Sequence, residues 1–230
     1  MIYKVLEQSL IMLFLFYTSS ISQISANSCL LCKTTITSLP KMDSLEKITL
    51  PRFQNLAKRL NDSTLILNIY NNDKMVFVDK NDNENVERII KHYLIDYDET
   101  NKAYILGECG WEWESSSIIL NKSGKRFDLL SRPKFNDSHS MFLCCESNDM
   151  DERYGIQIWK ITINQVVKVY DTTLSGSAVP VTAIWQNDST IEGCLKSYED
   201  DSCWTFIIKF HNGNCEYFKN SDCLSEPIKK

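Results

Sequence analysis

The chain has 230 residues, of which 43% are apolar and 24% are charged, a composition typical of a folded protein and not of a disordered one. Its formal net charge is −5, and its basic residues are scattered along the chain. Proteins that bind the phosphate backbone need lysine and arginine on one face, so we expect no nucleic-acid partner. The length fits one domain or two small ones.

The N-terminus has the pattern of a signal peptide. Lys4 precedes an apolar stretch from Leu10 to Tyr17, and small polar residues follow. We predict that residues 1–26 are a signal peptide cleaved after Ala26, with an uncleaved anchor and a lipoprotein acylated on Cys29 as alternatives. A membrane span needs about 20 apolar residues, so none is expected after signal removal. The protein is therefore expected to be exported, either to the periplasm or to the extracellular space.

A short helix is predicted at the start of the folded region. Residues 27–51 are mixed and polar and are interpreted as an N-terminal tether, and residues 52–230 as a single β-rich domain. Pro51 is favourable in the first turn of a helix. The residues that would form one apolar helical face are Phe53, Leu56, Ala57 and Leu60.

Short strands joined by tight turns are predicted for the rest of the chain. The turns are rich in Asn, Asp, Ser and Gly, and they indicate hairpins across residues 71–73, 121–125, 164–165, 186–189 and 211–214. Gly124 supplies the positive φ that a bulged hairpin requires.

The spacing of the strands indicates the architecture. Grouped in fours, they form units at residues 88–130, 131–172 and 179–219, with half a unit before them. A repeat of about 40 residues without intervening helices is typical of propeller blades. We predict an all-β fold, a propeller-like stack of short antiparallel sheets with one short N-terminal helix. A β-sandwich is the alternative, because three and a half blades would not close a ring easily.

Two resemblances accompany this pattern. Residues 133–142 read Pro-Lys-Phe-Asn-Asp-Ser-His-Ser-Met-Phe and loosely resemble the P-x-F-S-P-D-G-K-x-F signature of propeller repeats in Tol-associated periplasmic proteins, although no Gly follows Asp137. The order of segments from Tyr93 to Ile191 is similar to an uncharacterised family of exported bacterial β-rich proteins. Its segments are Tyr93 to Tyr97, Ile119 to Lys125, Pro133 to Phe135, Gly155 to Ile161 and Trp185 to Ile191. The resemblance implies a fold and export, and it implies no reaction.

Nine cysteines in an exported chain indicate disulfides, and the odd number leaves at least one thiol free or paired between chains. The candidates are Cys29, Cys32, Cys194, Cys203, Cys215 and Cys223. We predict a bridge between Cys194 and Cys203 across a hairpin, and one between Cys215 and Cys223 around the C-terminal loop. Cys29 and Cys32 form a CxxC that is interpreted as a structural or inter-chain disulfide, with a redox pair or half of a zinc site as alternatives.

Cys144 and Cys145 are adjacent in a predicted strand, so their side chains should point to opposite faces and should not bond to each other. We expect one of them to meet Cys109 and the other to be a buried thiol.

The most site-like patch is Trp111-Glu112-Trp113-Glu114, with Glu108 nearby. Tryptophan rings stack on sugars and carboxylates accept hydrogen bonds from hydroxyl groups, so the patch is a candidate ligand-binding loop. We predict a binding or structural protein whose partner is a protein or glycan of the cell envelope. The alternative is a carbohydrate-active hydrolase that uses carboxylates of residues 108–114 as acid and base. A packed strand-end loop would also explain the pattern.

No catalytic centre, metal site or cofactor is predicted. The histidines His92, His139 and His211 are far apart in the chain, with no pair at metal-binding spacing. Residues 79–84 imitate a calcium loop but have Glu84 in place of its Gly, and are interpreted as a solvated turn. Four N-x-S sequons begin at Asn61, Asn121, Asn136 and Asn187 and are relevant if the source is eukaryotic; three of them lie at predicted turns.

Overall fold

The computed structural model describes residues 41–81, 89–110, 113–146, 154–173, 178–197, 199, 202–211 and 214–223. Within these ranges, one α-helix, α1 (Met42–Arg52), is followed by fifteen strands in four antiparallel sheets. The prediction of an all-β fold with one short N-terminal helix is confirmed. Both the propeller-like stack and the sandwich are compatible with four such sheets, and the choice between them stays a prediction.

Sheet 1 has three strands, β1 (Ala57–Asn61), β2 (Thr64–Asn68) and β3 (Lys74–Val78). A 3₁₀ turn, Tyr70–Asn72, joins β2 to β3. Asn71 and Asn72 both have a φ of 67° there, and asparagine tolerates this left-handed region better than most residues. The predicted hairpin across residues 71–73 is confirmed by the β2–β3 register.

Sheets 2, 3 and 4 have four strands each, and strands that are neighbours in the chain pair antiparallel. Sheet 2 consists of β4 (Lys91–Asp98), β5 (Ala103–Cys109), β6 (Glu114–Leu120) and β7 (Arg126–Leu129). Sheet 3 consists of β8 (Lys134–Phe135), β9 (Met141–Glu146), β10 (Gly155–Thr162) and β11 (Gln165–Thr173). Sheet 4 consists of β12 (Ala178–Asn187), β13 (Thr190–Ser197), β14 (Cys203–His211) and β15 (Asn214–Cys223).

These three sheets coincide with the predicted four-strand units to within a few residues. The remaining predicted hairpins are also confirmed by the strand register. Gly124 has a φ of 67°, as the turn between β6 and β7 requires.

In the described part of the chain, three apolar cores lie between consecutive sheets. Leu67, Tyr104 and Leu106 belong to the core between sheets 1 and 2. The core between sheets 2 and 3 contains Ile105, Ile118 and Phe142, and the core between sheets 3 and 4 contains Leu143, Ile158 and Phe206. Because successive residues of a strand point to opposite faces, β5 contributes to two cores at once, and so does β9. Sheets 2 and 3 are therefore buried on both faces.

The predicted position of the helix is wrong. Pro51 lies in the last turn of α1 and not in the first turn of a helix. Phe53 and Leu56 form the following turn, with Leu56 N donating to Phe53 O at 2.8 Å, and Ala57 begins β1, which pairs with β2. The backbone of this segment pairs with β2, and the helical spacing of apolar residues gives no sign of that partner. Phe53, in the turn, and Ala57, in β1, are buried in the same core.

The C-terminal cysteine pairing is also corrected. Cys215 and Cys223 both lie on β15, eight residues apart. An extended strand rises about 3.3 Å per residue, so their Cα atoms are roughly 26 Å apart, and a disulfide tolerates no more than about 7 Å. Cys215 is a free thiol. Cys194 and Cys203 are not directly opposite each other in the strand register. Cys194 lies opposite Thr205, whereas Cys203 lies opposite Lys196 on one side and Cys223 on the other.

The remaining expectations concern the N-terminal region and a membrane span. Residues 1–40, with the predicted signal peptide, Cys29 and Cys32, lie outside the described residues, and α1 occupies the end of the segment interpreted as a tether. None of the helices in the described part of the chain is long and apolar enough to cross a membrane.

Candidate functional site

The patch chosen from the sequence is only partly within the described residues. Trp111 and Glu112 lie outside them. The backbone N–H of Gly110 donates to Trp113 O at 3.0 Å, and a Cβ at Gly110 would lie 2.3 Å from the Trp113 indole nitrogen. The Trp113 ring therefore lies directly on the Gly110 backbone. The Glu114 side chain is 61% exposed, and its carboxylate is 3.8 Å from Arg132.

Glu108 and Glu114 project from opposite faces of sheet 2. In the β5–β6 register, Glu108 lies opposite Ser115, whereas Glu114 lies opposite Cys109. Directly opposed residues share a face and successive residues alternate, so these two carboxylates do not face one another. The hydrolase alternative stays a prediction, and this pair cannot provide its acid and base.

Glu108 instead belongs to a partly buried ionic network. Its two oxygens accept hydrogen bonds from Arg126 at 2.7 and 3.0 Å, the bidentate geometry of a strong pair. The His92 ring lies between two carboxylates, with Nε2 3.4 Å from Glu108 and Nδ1 3.1 Å from Asp79. The other Asp79 oxygen is 3.2 Å from Arg59 Nη1. The Asp79 side chain is only 4% exposed, so its interpretation as part of a solvated turn is wrong.

Arg59 is the centre of this network. Its guanidinium donates to both oxygens of Glu46, at 2.9 and 3.2 Å, and also to the His92 carbonyl. Burial opposes the charge of Arg59, but Glu46 and Asp79 more than offset it, so the pKa of Arg59 is raised. A Glu46 oxygen also accepts from Leu94 N at 2.9 Å. The network thus joins α1, sheet 1 and sheet 2. Both ring nitrogens of His92 contact carboxylates of the network, so we interpret the role of this histidine as structural.

An open groove of about 650 Å³ is the best candidate for a binding site. It forms where the end of α1, the 3₁₀ turn and the hairpin turns of sheets 2 and 3 come together. Its lining comes from these separate segments and consists of Arg52, Phe53, Leu56, Tyr70, Tyr97, Glu99, Lys102, Asn121, Lys122 and Ile163. None of these residues belongs to the ionic network.

The floor of the groove is aromatic and held in place. The ring of Tyr97 lies 5.3 Å from that of Phe53 and 4.9 Å from that of Tyr104, which is buried beneath. Burial raises the pKa of Tyr97, so this phenol stays neutral at ordinary pH. The Tyr104 hydroxyl donates to Asn68 O and accepts from Asn121 Nδ2 at 2.9 Å. These hydrogen bonds hold Tyr104, on which the Tyr97 ring packs, in a defined position without a ligand.

Among the described lining residues, the rim of the groove carries three cationic side chains and one carboxylate, whereas the whole chain has a net charge of −5. The Arg52 guanidinium lies 5.1 Å from the centre of the Phe53 ring, and Lys122 Nζ donates to Asn164 at 2.8 Å. Lys102 lies in the turn between β4 and β5, and its φ of 53° places its backbone in the left-handed region. Tyr70, at 61% exposure, adds an accessible ring. An anionic ligand with an apolar part matches this arrangement.

The sequence could not reveal this groove. Its residues come from turns and one helix end between residues 52 and 163, and each is ordinary in its own segment. The only signal was the polar turn composition that marked the hairpins. The described part of the predicted patch lies at the other end of β6, because Glu114 begins that strand and Asn121 directly follows it.

Fold and groove together define an all-β protein whose hairpin turns form an open, cationic groove with an aromatic floor. Comparison with protein-family models, with curated proteins and with solved structures finds no match for this chain.

Proposed function

We propose that this chain is an exported binding protein without a catalytic centre, and that its groove holds an anionic ligand with an apolar part. The observation that carries the proposal is the concentration of positive charge above buried aromatic rings in a protein that is acidic overall. Rigid strands hold the turn residues in fixed positions relative to one another, and many β-proteins bind ligands with turns held in this way. The signal-peptide pattern of residues 1–26 supports export, and a protein or glycan of the cell envelope remains the proposed partner.

The position of His139 supports the resemblance to propeller repeats. His139 stands where the repeat signature has Gly, and its φ of 55° lies in the left-handed region that favours glycine. The β8–β9 turn therefore has the backbone shape that the signature implies, with a different residue.

A pair of fluorescent probes tests the charge requirement of the groove. We expect the anionic 8-anilinonaphthalene-1-sulfonate to bind more tightly than the neutral N-phenyl-1-naphthylamine, in titrations followed by fluorescence. Lys102→Met should weaken the anionic probe about three- to tenfold and leave the neutral probe unchanged, because one surface charge contributes roughly 1 kcal/mol. Tyr70→Ala should weaken both probes, because both contain aromatic rings.

Lys160→Met is the matched control. Lys160 is exposed on β10 and is not a lining residue, so its removal should change neither affinity. Equal affinity for the two probes, or the same effect of Lys102→Met and Lys160→Met, would contradict the proposal. A soluble envelope glycan that displaces neither probe but binds the protein would favour the Trp111 and Trp113 loop instead.

A further inference from the structure

The four N-x-S sequons fall into two classes in the folded protein. The asparagines of one class, Asn121 and Asn136, use both amide hydrogens within the fold. Those of the other class, Asn61 and Asn187, lie on the surface.

In the first class, the amide nitrogen that would carry a glycan is fully engaged. Asn121 Nδ2 donates to Asn68 O at 3.1 Å and to the Tyr104 hydroxyl at 2.9 Å. Asn136 is 1% exposed, and its Nδ2 donates to Asp188 O at 3.1 Å and to Ser140 Oγ at 3.3 Å. A glycan replaces one of these N–H groups, so it would break one hydrogen bond and require space where other chain segments pack.

In the second class, the side-chain oxygen is held and the amide is not. Asn61 Oδ1 accepts from the backbone N–H and from the hydroxyl of Ser63, at 2.9 and 3.0 Å. Asn187 Oδ1 does the same with Ser189, at 2.9 and 3.1 Å. Among the described residues, Nδ2 of neither asparagine makes a hydrogen bond. The third residue of each sequon thus fixes the carboxamide with its nitrogen open to solvent.

We propose that Asn61 and Asn187 are N-glycan acceptor sites and that Asn121 and Asn136 are not. In the transfer, Nδ2 loses a proton and bonds to the anomeric carbon of a lipid-pyrophosphate-linked oligosaccharide. The bond from that carbon to the pyrophosphate breaks, the lipid pyrophosphate leaves, and nothing is oxidised or reduced. In a eukaryotic source the enzyme is an oligosaccharyltransferase of the secretory pathway, and the choice among the four asparagines is a property of this fold.

Folding enforces this choice even when transfer precedes it. A chain that receives a glycan on Asn121 or Asn136 while unfolded loses an N–H that the fold uses, in the floor of the groove or between two turns. Such molecules do not reach the folded, secreted pool. A glycan on Asn61 or Asn187 leaves every described hydrogen bond in place.

Site-by-site glycan occupancy tests the proposal. The full chain with its own leader is expressed in a eukaryotic secretory host, and the folded product is treated with peptide N-glycosidase in heavy-oxygen water. Each asparagine that carried a glycan becomes a heavy-oxygen-labelled aspartate, which peptide mass spectrometry locates. We expect label at Asn61 and Asn187 and none at Asn121 or Asn136. Label at Asn121 or Asn136, or no label at Asn61 or Asn187 in most molecules, overturns the proposal.

Matched variants give an independent measurement by gel mobility. Asn61→Gln and Asn187→Gln should each remove one glycan, and the double variant should carry none. Ser123→Ala and Ser138→Ala destroy the other two sequons at exposed serines and keep the hydrogen-bonded amides of Asn121 and Asn136. These two variants should keep both glycans, and the loss of a glycan from either would overturn the proposal.

Discussion

Cys144 and Cys145 are consecutive residues of β9, and their side chains lie in two different cores. Cys144 is buried in the core between sheets 2 and 3, against which Cys109 also packs, whereas Cys145 packs against the core between sheets 3 and 4. The alternation of side chains along a strand causes this separation, as predicted from the adjacency of the two residues. Both are free thiols, and their burial raises the pKa of each to about 12.

The two thiols should resist alkylation in the folded protein. With a pKa of about 12, roughly one thiol in ten thousand is ionised at pH 8, and the thiolate is the reactive form. We expect iodoacetamide to leave both unmodified in the native protein and to modify both after unfolding in denaturant, as read by mass spectrometry. Cys215 is only half-buried and serves as the internal comparison. Equal rates for Cys215 and the fully buried Cys144 in the native protein would contradict the structure.

Removal of Arg59 should destabilise the protein strongly. Arg59→Met leaves the carboxylates of Glu46 and Asp79 buried without their main cation, and breaking such a pair costs about 3–5 kcal/mol of unfolding free energy. Arg59→Lys should be intermediate, because one ammonium cannot reproduce the fork that binds both oxygens of Glu46. Denaturant unfolding measures both variants.

Lys58→Met is the control for Arg59. Lys58 neighbours Arg59 on β1, is exposed, and should change the unfolding free energy by no more than about 0.5 kcal/mol. If Arg59→Met cost no more than Lys58→Met, the network would have no role in stability.

Stability should fall in alkaline solution, and Tyr170 should account for part of the loss. Burial, aided by Cys215 and Tyr217, raises the pKa of Tyr170 to about 12, against about 10 in the unfolded chain. The unfolded state therefore releases its proton first as the pH rises above 10, so the stabilisation present below pH 10 is lost up to pH 12. For this one group the loss is on the order of 1 kcal/mol at pH 11.

Two tyrosine variants isolate this contribution. Between pH 8 and pH 11, Tyr170→Phe should lose about 1 kcal/mol less unfolding free energy than the wild type. Tyr70→Phe changes an exposed tyrosine and should follow the wild type. Identical pH profiles for all three proteins would refute the assignment to Tyr170.

His139 should tolerate glycine better than alanine. Its φ of 55° strains any residue with a Cβ, and its ring Nδ1 lies 3.1 Å from the buried carboxylate of Asp98. Both substitutions remove this contact and the stacking on Phe135, but His139→Gly relieves the backbone strain. We expect the Gly variant to be more stable than the Ala variant by about 0.5–1 kcal/mol in denaturant unfolding. The opposite order would show that the turn does not hold this conformation in solution.

The sequence predicted the strands and hairpins well, since their signals are local. Gly124 and the polar turns stand within a few residues of the strands they join, and the period of two in β9 placed Cys144 and Cys145 on opposite faces. Helical spacing after Pro51 was misleading, because pairing with β2 outweighed a four-residue coincidence. The spacing of Cys215 and Cys223 was also misleading, because β15 continues through the segment read as a loop.

By itself the amino-acid sequence determined the all-β class, the three four-stranded units and the turns between them, because alternation and turn chemistry act over a few neighbouring residues. Only the tertiary structure decided which turns meet in the groove and which charges meet in the ionic network. Glu46, Arg59 and Asp79 belong to separate elements, as do Tyr70, Lys102 and Lys122. Contacts between distant segments depend on how the sheets pack against one another. The sequence pattern within a single segment does not predict that packing.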